Sequence, residues 1–599
     1  MSEVPERIAA LRELMEEGRI DAYLIPTSDY HESEYVGEHF ACRNYMTGFT
    51  GSAGTALIMQ DWAGVWTDGR YFVQAAAELA DSGVTLMKMG QPEVPTLEEY
   101  LEEHMPMLGT LGFDGRVINS KIGEELKKRL ESKKISFAYT EALVGDIWED
   151  RPPLSAEPVW ILEDRYAGKP AVQKIADLRA EMEKRRADVH ILTTLDDIVW
   201  LLNIRGNDIP CNPVVLSYVT VTKDSLNLFI NQKTLSGEVR AYLEGLGVTI
   251  CDYQEIYTNA QQIRCSRVLL EKGKVNYMIV QCLDESNVIL DEMNPTVLAK
   301  AQKTAVEIEN LKAAHIKDGV AMTKYIYWLK HNIGKIPMTE CSVEDYLETL
   351  RREQGAIELS FTTISAYGAN AAMCHYHAVP GHCATLEPRG LYLVDSGGQY
   401  LEGTTDITRT LALGPVTEAE REHYTLVLMG MLRLGHVKFM KGCSGLSLDY
   451  AAREPLWKRG LDFNHGTGHG VGYLLNVHER PVGIRFRVVP ERQDSAPFLP
   501  GMVCSDEPGL YIEGSHGIRT ENMIFCKEAE TTQFGQFLCF EFLTYAPIDL
   551  EPVDVSLMEE QDIAYLNEYH AQVYEKIAPY LTGEEAAWLK KVTQPLRKL

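Results

Sequence analysis

The chain has 599 residues, 45% hydrophobic and 24% charged, a composition typical of a globular protein with several domains. Its 58 basic and 86 acidic residues give a formal net charge of −28, which repels phosphate backbones, so we expect no nucleic-acid partner. No run of about 18 apolar residues occurs and the start is polar, so we expect neither a membrane span nor a secretory signal. The twelve scattered cysteines, without a C-x-x-C pair, predict reduced thiols in a cytoplasmic protein.

The first predicted element is an amphipathic helix that leads into a strand, and the same pattern occurs twice. Residues 7–29 align without gaps on residues 174–196. The identities include Ile8/Ile175, Leu11/Leu178, Arg12/Arg179, Met15/Met182, Arg19/Arg186 and Asp21/Asp188. In each copy the apolar residues recur at the spacing of one helix face, and a β-like run follows. The agreement indicates a duplication and predicts two related α/β domains.

The ends of these two domains are marked by proline. The Arg151-Pro152-Pro153 stretch predicts a linker after the first domain, and Asn294-Pro295 marks the end of the second. We expect four segments: an N-terminal α/β domain over 1–152, a second α/β domain over 153–303, an α+β domain over 304–549, and a helical C-terminal extension over 550–599.

From residue 304 onward the pattern changes. Residues 304–333 predict a long amphipathic helix, and Ser342 followed by Asp345 predicts the N-cap of another. Four segments rich in β-formers come next, and their apolar runs between glycines and prolines predict strands of one antiparallel sheet. They are LYLVDSGGQ, TTDITRTLAL, MVCSDEPGLYI and GIRTENMIFC. In the tail, four residues are spaced for one buried helix face: Leu566, Tyr569, Val573 and Ile577.

Acidic residues and one histidine lie at or near these predicted strands. They are Asp395, Asp406, Glu507, Glu521 and, in HGTGHGVG, His469. A single aspartate after a strand is typical of a solvated loop, but Asp395, Asp406 and Glu521 lie beside apolar or β-branched runs, and Glu507 precedes the turn expected at Pro508-Gly509. If the four carboxylates meet in a dry interior, they stay ionised only with cations, and two divalent ions supply +4 against −4. An oxygen-rich set with one imidazole favours Mn²⁺ or a similar ion.

The order of these motifs resembles that of the pita-bread metallopeptidases. Ten residues separate the first two aspartates, and HGTGHGVG, DEPG and an Arg-x-Glu strand follow. Further stretches are similar to the long, three-domain branch, the cytosolic X-Pro aminopeptidase (aminopeptidase P) family. They include GFTGSAGTALI, WTDGRYFVQAA, WLLNIRGNDIPCNPVVLSY and YLNEYH, so the resemblance spans nearly the whole chain.

This resemblance implies a pita-bread catalytic domain with a curved antiparallel sheet and two divalent ions per chain. Mn²⁺ is the expected metal, with Co²⁺ or Zn²⁺ as alternatives. The implied reaction is hydrolysis of the first peptide bond of peptides whose second residue is proline. The resemblance further implies a homodimer.

The resemblance also implies a role for each expected ligand. Asp395 would bind one ion through both carboxylate oxygens. Asp406 and Glu521 would bridge the pair of ions. His469 and Glu507 would complete the ligands of the second ion, and Glu507 would in addition act as the acid–base catalyst.

Three histidines and an arginine match further positions of the family. His375 is expected to bind substrate and to take part in catalysis, as is His478, and His465 is expected to be catalytic. Arg70, in the DGRYF motif, is expected to touch substrate. Each has a structural alternative: His375 could be an ordinary histidine, with His377 taking its role, and Arg70 could serve only the turn that contains it.

Two positions depart from the family pattern, and three alternatives remain for the function. Arg480 stands where the family usually has glycine, and His377 replaces a smaller residue, so both bear on leaving-group preference. The alternatives are a prolidase restricted to dipeptides, a creatinase-like enzyme without metal, and a non-catalytic pita-bread module that binds peptides or histones. The doubled N-terminal region argues against the first, and the intact ligand set argues against the other two.

Overall fold

A computed structural model of the chain describes residues 3–598, apart from the side chain of Val73. The chain divides into two compact units. The first comprises the chain up to Leu162 together with Pro170–Thr296, and the second comprises Glu163–Lys169 together with the chain from Val297 onward. Within residues 3–598, no helix combines the length and the apolar character that crossing a membrane requires.

The first unit begins with a six-stranded mixed sheet and its helices. The strands are β1 (Ala22–Pro26), β2 (Thr55–Met59), β3 (Ala63–Thr67), β4 (Thr85–Lys88), β5 (Thr110–Phe113) and β6 (Ser136–Ala138). The helices are α1 (Val4–Glu17), α2 (Cys42–Thr47), α3 (Phe72–Glu78), α4 (Leu97–His104), α5 (Ser120–Arg129) and α6 (Leu143–Ile147). The spatial order is β4-β3-β2-β1-β5-β6, with β1 antiparallel to β2 and parallel to β5.

A second six-stranded sheet repeats this plan. Its strands are β8 (Val189–Leu192), β10 (Ser217–Thr222), β11 (Leu226–Ile230), β12 (Val248–Asp252), β13 (Arg267–Leu270) and β14 (Val288–Asp291). Two further strands, β7 (Trp160–Ile161) and β9 (Ile204–Arg205), form a separate pair. The helices are α7 (Asp164–Ala167), which belongs to the second unit, α8 (Ala171–Lys184), α9 (Leu195–Leu202), α10 (Gly237–Gly245), α11 (Glu255–Gln262), α12 (Tyr277–Cys282) and α13 (Pro295–Ala301). The order β12-β11-β10-β8-β13-β14 matches the first sheet strand for strand, so the predicted pair of related α/β domains is confirmed.

One identity between the two copies has a clear structural reason. The Asp21 carboxylate accepts a hydrogen bond from the Thr110 backbone N–H at 2.7 Å, which ties the start of β1 to β5. At the equivalent place, Asp188 accepts from the Arg267 N–H at 2.8 Å and ties β8 to β13. The same side chain therefore aligns the same central pair of parallel strands in each domain.

The second unit contains an antiparallel framework and long helices. Its strands are β15 (Glu358–Leu359), β16 (Ile364–Tyr367), β17 (Leu391–Ser396), β18 (Gly398–Tyr400), β19 (Gly403–Thr404), β20 (Ile407–Ala412), β21 (Lys438–Met440), β22 (Gly468–Gly470), β23 (Glu479–Ile484), β24 (Val503–Asp506), β25 (Gly509–Ile512), β26 (His516–Arg519), β27 (Asn522–Thr532) and β28 (Gly535–Phe542). Its helices from residue 305 onward are α14 (Ala305–Asn332), α15 (Glu340–Glu353), α16 (Glu418–Gly435), α17 (Gly445–Leu448), α18 (Tyr450–Trp457), α19 (Glu560–Ile577) and α20 (Gly583–Val592).

The predicted strands are antiparallel, but the expectation of one continuous sheet is wrong. Hydrogen bonds join them into β16-β17-β20, β21-β28-β27-β24-β22-β23, β15-β18-β19 and the pair β25-β26. One break falls at Gly397, whose backbone packs so closely on the Thr405 carbonyl that a Cβ would lie 2.0 Å from its oxygen. Most of the expected ligands lie at these breaks: Asp406 precedes β20, Glu507 follows β24, and Glu521 separates β26 from β27.

The predicted helices of this unit occur, with one start corrected. α14 begins after Thr304, whose hydroxyl accepts from the Glu307 N–H in a capping box. α15 is capped by Thr339, not by the predicted Ser342, because Ser342 occupies the third helical position and completes the box from inside the helix. The tail helix α19 buries the predicted face, Leu566, Tyr569, Val573 and Ile577.

Candidate metal centre

Asp395 stands near the end of β17, in the middle of a three-stranded sheet. It pairs with Ile364 of β16 on one side and Thr408 of β20 on the other, and it is 8% exposed. Arg519 Nη2 donates a hydrogen bond to its Oδ2 at 2.5 Å. Its Oδ1 is buried and has no hydrogen-bond partner among the described residues, so one carboxylate oxygen is left to bind a cation.

Asp406, His469 and Glu521 form a tight cluster in the second unit. Each offers a ligand atom, and these atoms lie within 4.8 Å of one another. His469 Nε2 is 3.5 Å from Asp406 Oδ2 and 3.5 Å from Glu507 Oε1. Its Nδ1 lies 3.0 Å from the Gly470 carbonyl oxygen, to which it can donate. That bond directs Nε2 toward the carboxylates, in the position from which a histidine ligand binds a metal ion.

The cluster has more negative charge than its own cations neutralise. Burial, opposed by Arg519 and reinforced by Asp406, raises the pKa of Asp395 to about 6. Burial and the neighbouring carboxylates raise the pKa of Glu521 well above its usual range. Burial alone would lower the pKa of His469, but Asp406 and Glu507 raise it to about 9. These carboxylates and the imidazole therefore favour a bound positive charge, and their donor atoms suit a pair of divalent ions.

Neighbouring hydroxyls orient the proposed ligands. Thr408 Oγ1 donates to Glu521 Oε2 at 2.7 Å. Ser505 Oγ donates to Glu507 Oε1 at 3.2 Å and accepts from the His469 backbone N–H at 3.0 Å. Such bonds hold a ligand side chain in one rotamer before a cation binds.

Arg519 and Tyr511 connect Asp395 to His465. Arg519 Nη1 donates to the Tyr511 hydroxyl at 2.5 Å, and that hydroxyl lies 2.8 Å from His465 Nε2. His465 Nδ1 lies 2.7 Å from the Gly466 carbonyl oxygen, an acceptor only. Nδ1 therefore carries the proton and Nε2 accepts from Tyr511. Burial lowers the pKa of His465 to about 4, which agrees with a neutral ring.

The other two predicted histidines, His375 and His478, belong to the same unit and have exposed side chains. The His478 ring centroid is 4.3 Å from that of His469, which places His478 at the edge of the cluster. His375 lies in a turn after the 3-10 helix Gly368–Ala372. Its neighbour Cys374 acts electrostatically on Tyr511, where burial is the main cause of a raised pKa, so this turn lies near the Tyr511 hydroxyl.

Arg70 belongs to the first unit. Its guanidinium makes a two-point pair with Asp68, with Nε to Oδ1 and Nη2 to Oδ2 both 2.8 Å, on an exposed turn. This geometry agrees with a role in the turn, and the expected contact with substrate stays a prediction. In the second unit Arg480 hydrogen-bonds the Gln493 side chain.

Sequence reasoning missed several residues that shape the centre. Arg519 lies in the Arg-x-Glu motif, but nothing in that motif indicates that its guanidinium pairs with Asp395. Thr408 could have been found, since it follows Asp406 by two residues and strand alternation favours a shared face. Tyr511 has no comparable signal, because nothing local to it indicates contact with both His465 and Arg519.

Two α/β domains of one design, followed by an antiparallel domain with buried carboxylates and a histidine, define a metallopeptidase of the pita-bread type. Models of known families agree. The Creatinase/Prolidase N-terminal domain matches residues 7–145 and again 150–307. Metallopeptidase family M24 matches residues 309–528, and the C-terminal region of peptidase M24 matches residues 536–596.

Individual proteins are similar over the full length. The chain is 41% identical to the probable Xaa-Pro aminopeptidase P of Botryotinia fuckeliana, across 99% of this chain and 93% of that protein. It is 42% identical to the protein of the same name from Talaromyces marneffei, across 99% and 92%. The solved X-prolyl aminopeptidase of Caenorhabditis elegans, described as a cytosolic enzyme with a di-nuclear active site, superposes with a TM-score of 0.92 at 34% identity, across 99% and 100%. The chain belongs to the Xaa-Pro aminopeptidase P family of the M24 metallopeptidases.

Proposed function

We propose that the chain is a metalloaminopeptidase that hydrolyses the bond between the first residue of a peptide and a proline at the second position. The observation that carries this proposal is the cluster of Asp406, His469 and Glu521. The charges of Asp395 and Glu507 act on this cluster. The names of the full-length relatives support the choice of bond.

Two divalent ions per chain are the proposed cofactor, with Mn²⁺ as the metal and Co²⁺ or Zn²⁺ as alternatives. Their ligands would be Asp395, Asp406, His469, Glu507 and Glu521. The di-nuclear site of the C. elegans enzyme and the orphaned Oδ1 of Asp395 support this set. When bound, such a pair activates a water molecule and polarises the scissile carbonyl.

Glu507 is the proposed general base and acid. Burial raises its pKa, but His469, His465 and Arg519 act more strongly in the other direction, and the net shift is downward. The carboxylate is therefore ionised near neutral pH and can accept the proton of the attacking water. It then passes the proton to the leaving nitrogen of proline.

Three histidines are proposed to serve substrate and transition state. His478, at the edge of the cluster, and His375, on its turn, would donate to the carbonyl oxygen as negative charge develops there. His465 would fix Tyr511 and, through it, Arg519, because its neutral ring accepts from the Tyr511 hydroxyl. Arg70 is proposed to contact substrate. A proline nitrogen carries no N–H in the peptide bond, so a site without an acceptor at that place favours proline.

The assembly, location and domain limits are also proposed. A homodimer rests on the family resemblance. A cytoplasmic location is supported by the description of the C. elegans relative. The proposed segments remain 1–152, 153–303, 304–549 and 550–599, which is supported by the similar ranges of the four family matches.

The test is hydrolysis of a short Xaa-Pro-Xaa peptide by chelated chain, with and without added Mn²⁺. Activity should appear on addition of Mn²⁺, and about two ions should bind per chain. Glu507→Gln should lower kcat by roughly 10²–10⁴-fold with the fold unchanged, because general acid–base catalysis supplies that much. Glu491→Gln, at an exposed glutamate in the short helix Pro490–Arg492, is the matched control.

Three results would contradict the proposal. Near-normal turnover by Glu507→Gln would remove the proposed base. Hydrolysis of Xaa-Pro dipeptides alone would identify a prolidase. A chain that binds no divalent ion would be a peptide-binding module without catalysis.

A further inference from the structure

A short antiparallel pairing joins the start of α15 to the loop before β17. Thr339 and Thr385 form a β-bridge, and the Glu340 N–H donates to the Ala384 carbonyl oxygen at 3.0 Å. The Ala384 N–H in turn donates to the Glu340 carboxylate at 2.7 Å. This pairing defines the register of the two segments, in which residue numbers rise on one strand as they fall on the other.

Two cysteines adjoin this pairing. Cys341 follows Glu340 as the second residue of α15, Cys383 precedes Ala384, and both are partly exposed free thiols. Because the Glu340 N–H donates to the Ala384 carbonyl oxygen at 3.0 Å, the residues next to this bond, Cys341 and Cys383, lie close together on neighbouring segments. The two thiols also act on each other: the Cys341 thiol lowers the pKa of Cys383, while burial and Cys383 raise the pKa of Cys341 to about 12.

The loop that precedes β17 carries His375, and one carboxylate, that of Glu340, holds it at two points. Glu340 accepts from the Tyr376 hydroxyl at 2.8 Å, next to His375, and from the Ala384 N–H at the far end. The Asn370 side-chain amide donates to the same carboxylate at 3.0 Å. Residues 373–385 thus form a loop, here called the histidine loop, whose tether lies beside the cysteine pair.

We propose that Cys341 and Cys383 are a redox modification site: they form a reversible disulfide that ties the histidine loop to the first turn of α15. A hydroperoxide is the oxidant. The Cys383 thiolate attacks one peroxide oxygen, which breaks the O–O bond, gives a sulfenic acid and releases water or an alcohol. The Cys341 thiol then attacks that sulfur, the S–S bond forms, and the hydroxyl leaves as water. The two thiols together lose two electrons and two protons, and a dithiol reductant restores them.

The disulfide also bears on the substrate site, in a step that rests on the proposed function. A histidine that lines a substrate site often closes onto its ligand only when substrate binds. A cross-link at one end of the histidine loop restrains that movement of His375. Oxidation should therefore lower kcat/KM for Xaa-Pro-Xaa peptides severalfold, and reduction should restore it.

The direct test uses the full-length, metal-loaded chain and needs no activity. The chain is treated with a small molar excess of hydrogen peroxide, remaining thiols are alkylated, and unreduced digests are mapped by mass spectrometry. We expect a peptide pair joined through Cys341 and Cys383, two hydrogen atoms lighter than the separate peptides and lost on reduction. It should be absent from Cys341→Ser and present in Cys265→Ser, an exposed thiol of the first unit that serves as control.

The proposal is overturned if the two thiols stay separately alkylatable, if Cys383 passes to sulfinic acid, or if either pairs with another cysteine. Kinetics then test the coupling: peroxide should lower kcat/KM of the wild type but not of Cys341→Ser. A cross-link that leaves kcat/KM unchanged refutes the restraint on His375. Failure of the reduced chain to hydrolyse any peptide refutes the proposed function, and the mapping result is independent of it.

Discussion

Two buried aspartates of the second unit, Asp318 and Asp395, differ in how far neighbouring groups neutralise their negative charge. Asp318 is 3% exposed, and Arg351 donates to both of its oxygens, at 2.8 and 3.2 Å, while the Tyr400 hydroxyl donates at 3.0 Å. Burial alone would raise the pKa of Asp318, but the Arg351 pair lowers it. Asp395 is also buried and also has an arginine, yet its pKa is raised to about 6.

The difference lies in the number of carboxylates that share each arginine. Among the described residues, Asp318 is the only carboxylate that forms an ion pair with Arg351, so that pair is electrically neutral. Arg519 pairs with Asp395, within reach of the charges of Asp406 and Glu507, so the second site lacks positive charge. A buried carboxylate with a full set of partners holds the fold together, whereas a group of them with too few binds cations.

Asp406→Asn should have the largest effect, a loss of metal binding and of activity. The substitution removes a proposed bridging ligand and therefore several kcal/mol of the transition-state stabilisation that the metal pair supplies. We expect kcat/KM to fall on the order of 10³-fold or more. The metal-free variant should unfold at no lower urea concentration than metal-free wild type, because a like charge has been removed. Titration calorimetry with Mn²⁺ and urea unfolding measure the two effects. Retention of two tight sites would contradict the assignment.

Asp318→Asn should lower the stability of the fold and leave metal binding unchanged. It leaves Arg351 buried with an uncompensated charge, so the free energy of unfolding should fall by about 3–5 kcal/mol. Metal stoichiometry of the folded variant should stay at the wild-type value. Chemical denaturation and metal analysis check these outcomes, and Glu402→Gln, at a partly exposed carboxylate paired with Lys317, is the matched control. Loss of metal with unchanged stability would reverse the proposed roles of the two sites.

The stability of the metal-free chain should depend on pH in opposite directions through Asp395 and Asp318. The folded-state pKa of Asp395, about 6, lies above that of an unfolded aspartate, about 3.9, so the folded state holds this proton more tightly. The resulting stability is fully present below about pH 3.9 and is lost as the pH rises through 6, by about 3 kcal/mol for a shift of about two units.

This loss is measured as the unfolding free energy of chelated wild type relative to chelated Asp395→Asn, at about pH 4 and about pH 7. Added Mn²⁺ should abolish the difference in the wild type, because a cation takes the place of the proton. Asp318, whose pKa is lowered, should contribute in the opposite direction, with stability gained above its unfolded pKa and lost at lower pH. A difference that does not change with pH would show that Asp395 is not short of positive charge.

Tyr569→Phe should have the smallest effect and tests a third arginine. Arg409 is fully buried and donates to the backbone oxygen of Glu521 at 2.6 Å and to the Tyr569 hydroxyl at 2.8 Å. Loss of one bond to a buried cation should cost about 1.5–3 kcal/mol of unfolding free energy. Thermal or urea unfolding measures it, with Tyr580→Phe, an exposed tyrosine, as control. A change below that of the control would mean that α19 does not support the ligand segment.

Local patterns predicted much of the fold. The duplication was visible because Asp21 and Asp188 perform the same local task, tying the ends of equivalent strands. The start of α15 was misplaced because a serine at the third position of a capping box looks like a cap itself, and only the backbone shows that Thr339 is outside the helix. The prediction of a single antiparallel sheet was wrong because the breaks between sheets depend on close packing between distant residues, as between Gly397 and Thr405.

The amino-acid sequence was sufficient to show that the first half of the chain is a repeat. It also indicated the helices and strands from residue 304 onward and the acidic and imidazole side chains at or near those strands. These follow from interactions between near neighbours and from periodicity. Only the tertiary structure decided which carboxylates are short of positive charge, since Asp395 meets Arg519 from 124 residues away and Asp318 meets Arg351 from 33. Burial and counter-charge are properties of the assembled interior, so the same residue type becomes a structural partner in one place and a candidate ligand in the other.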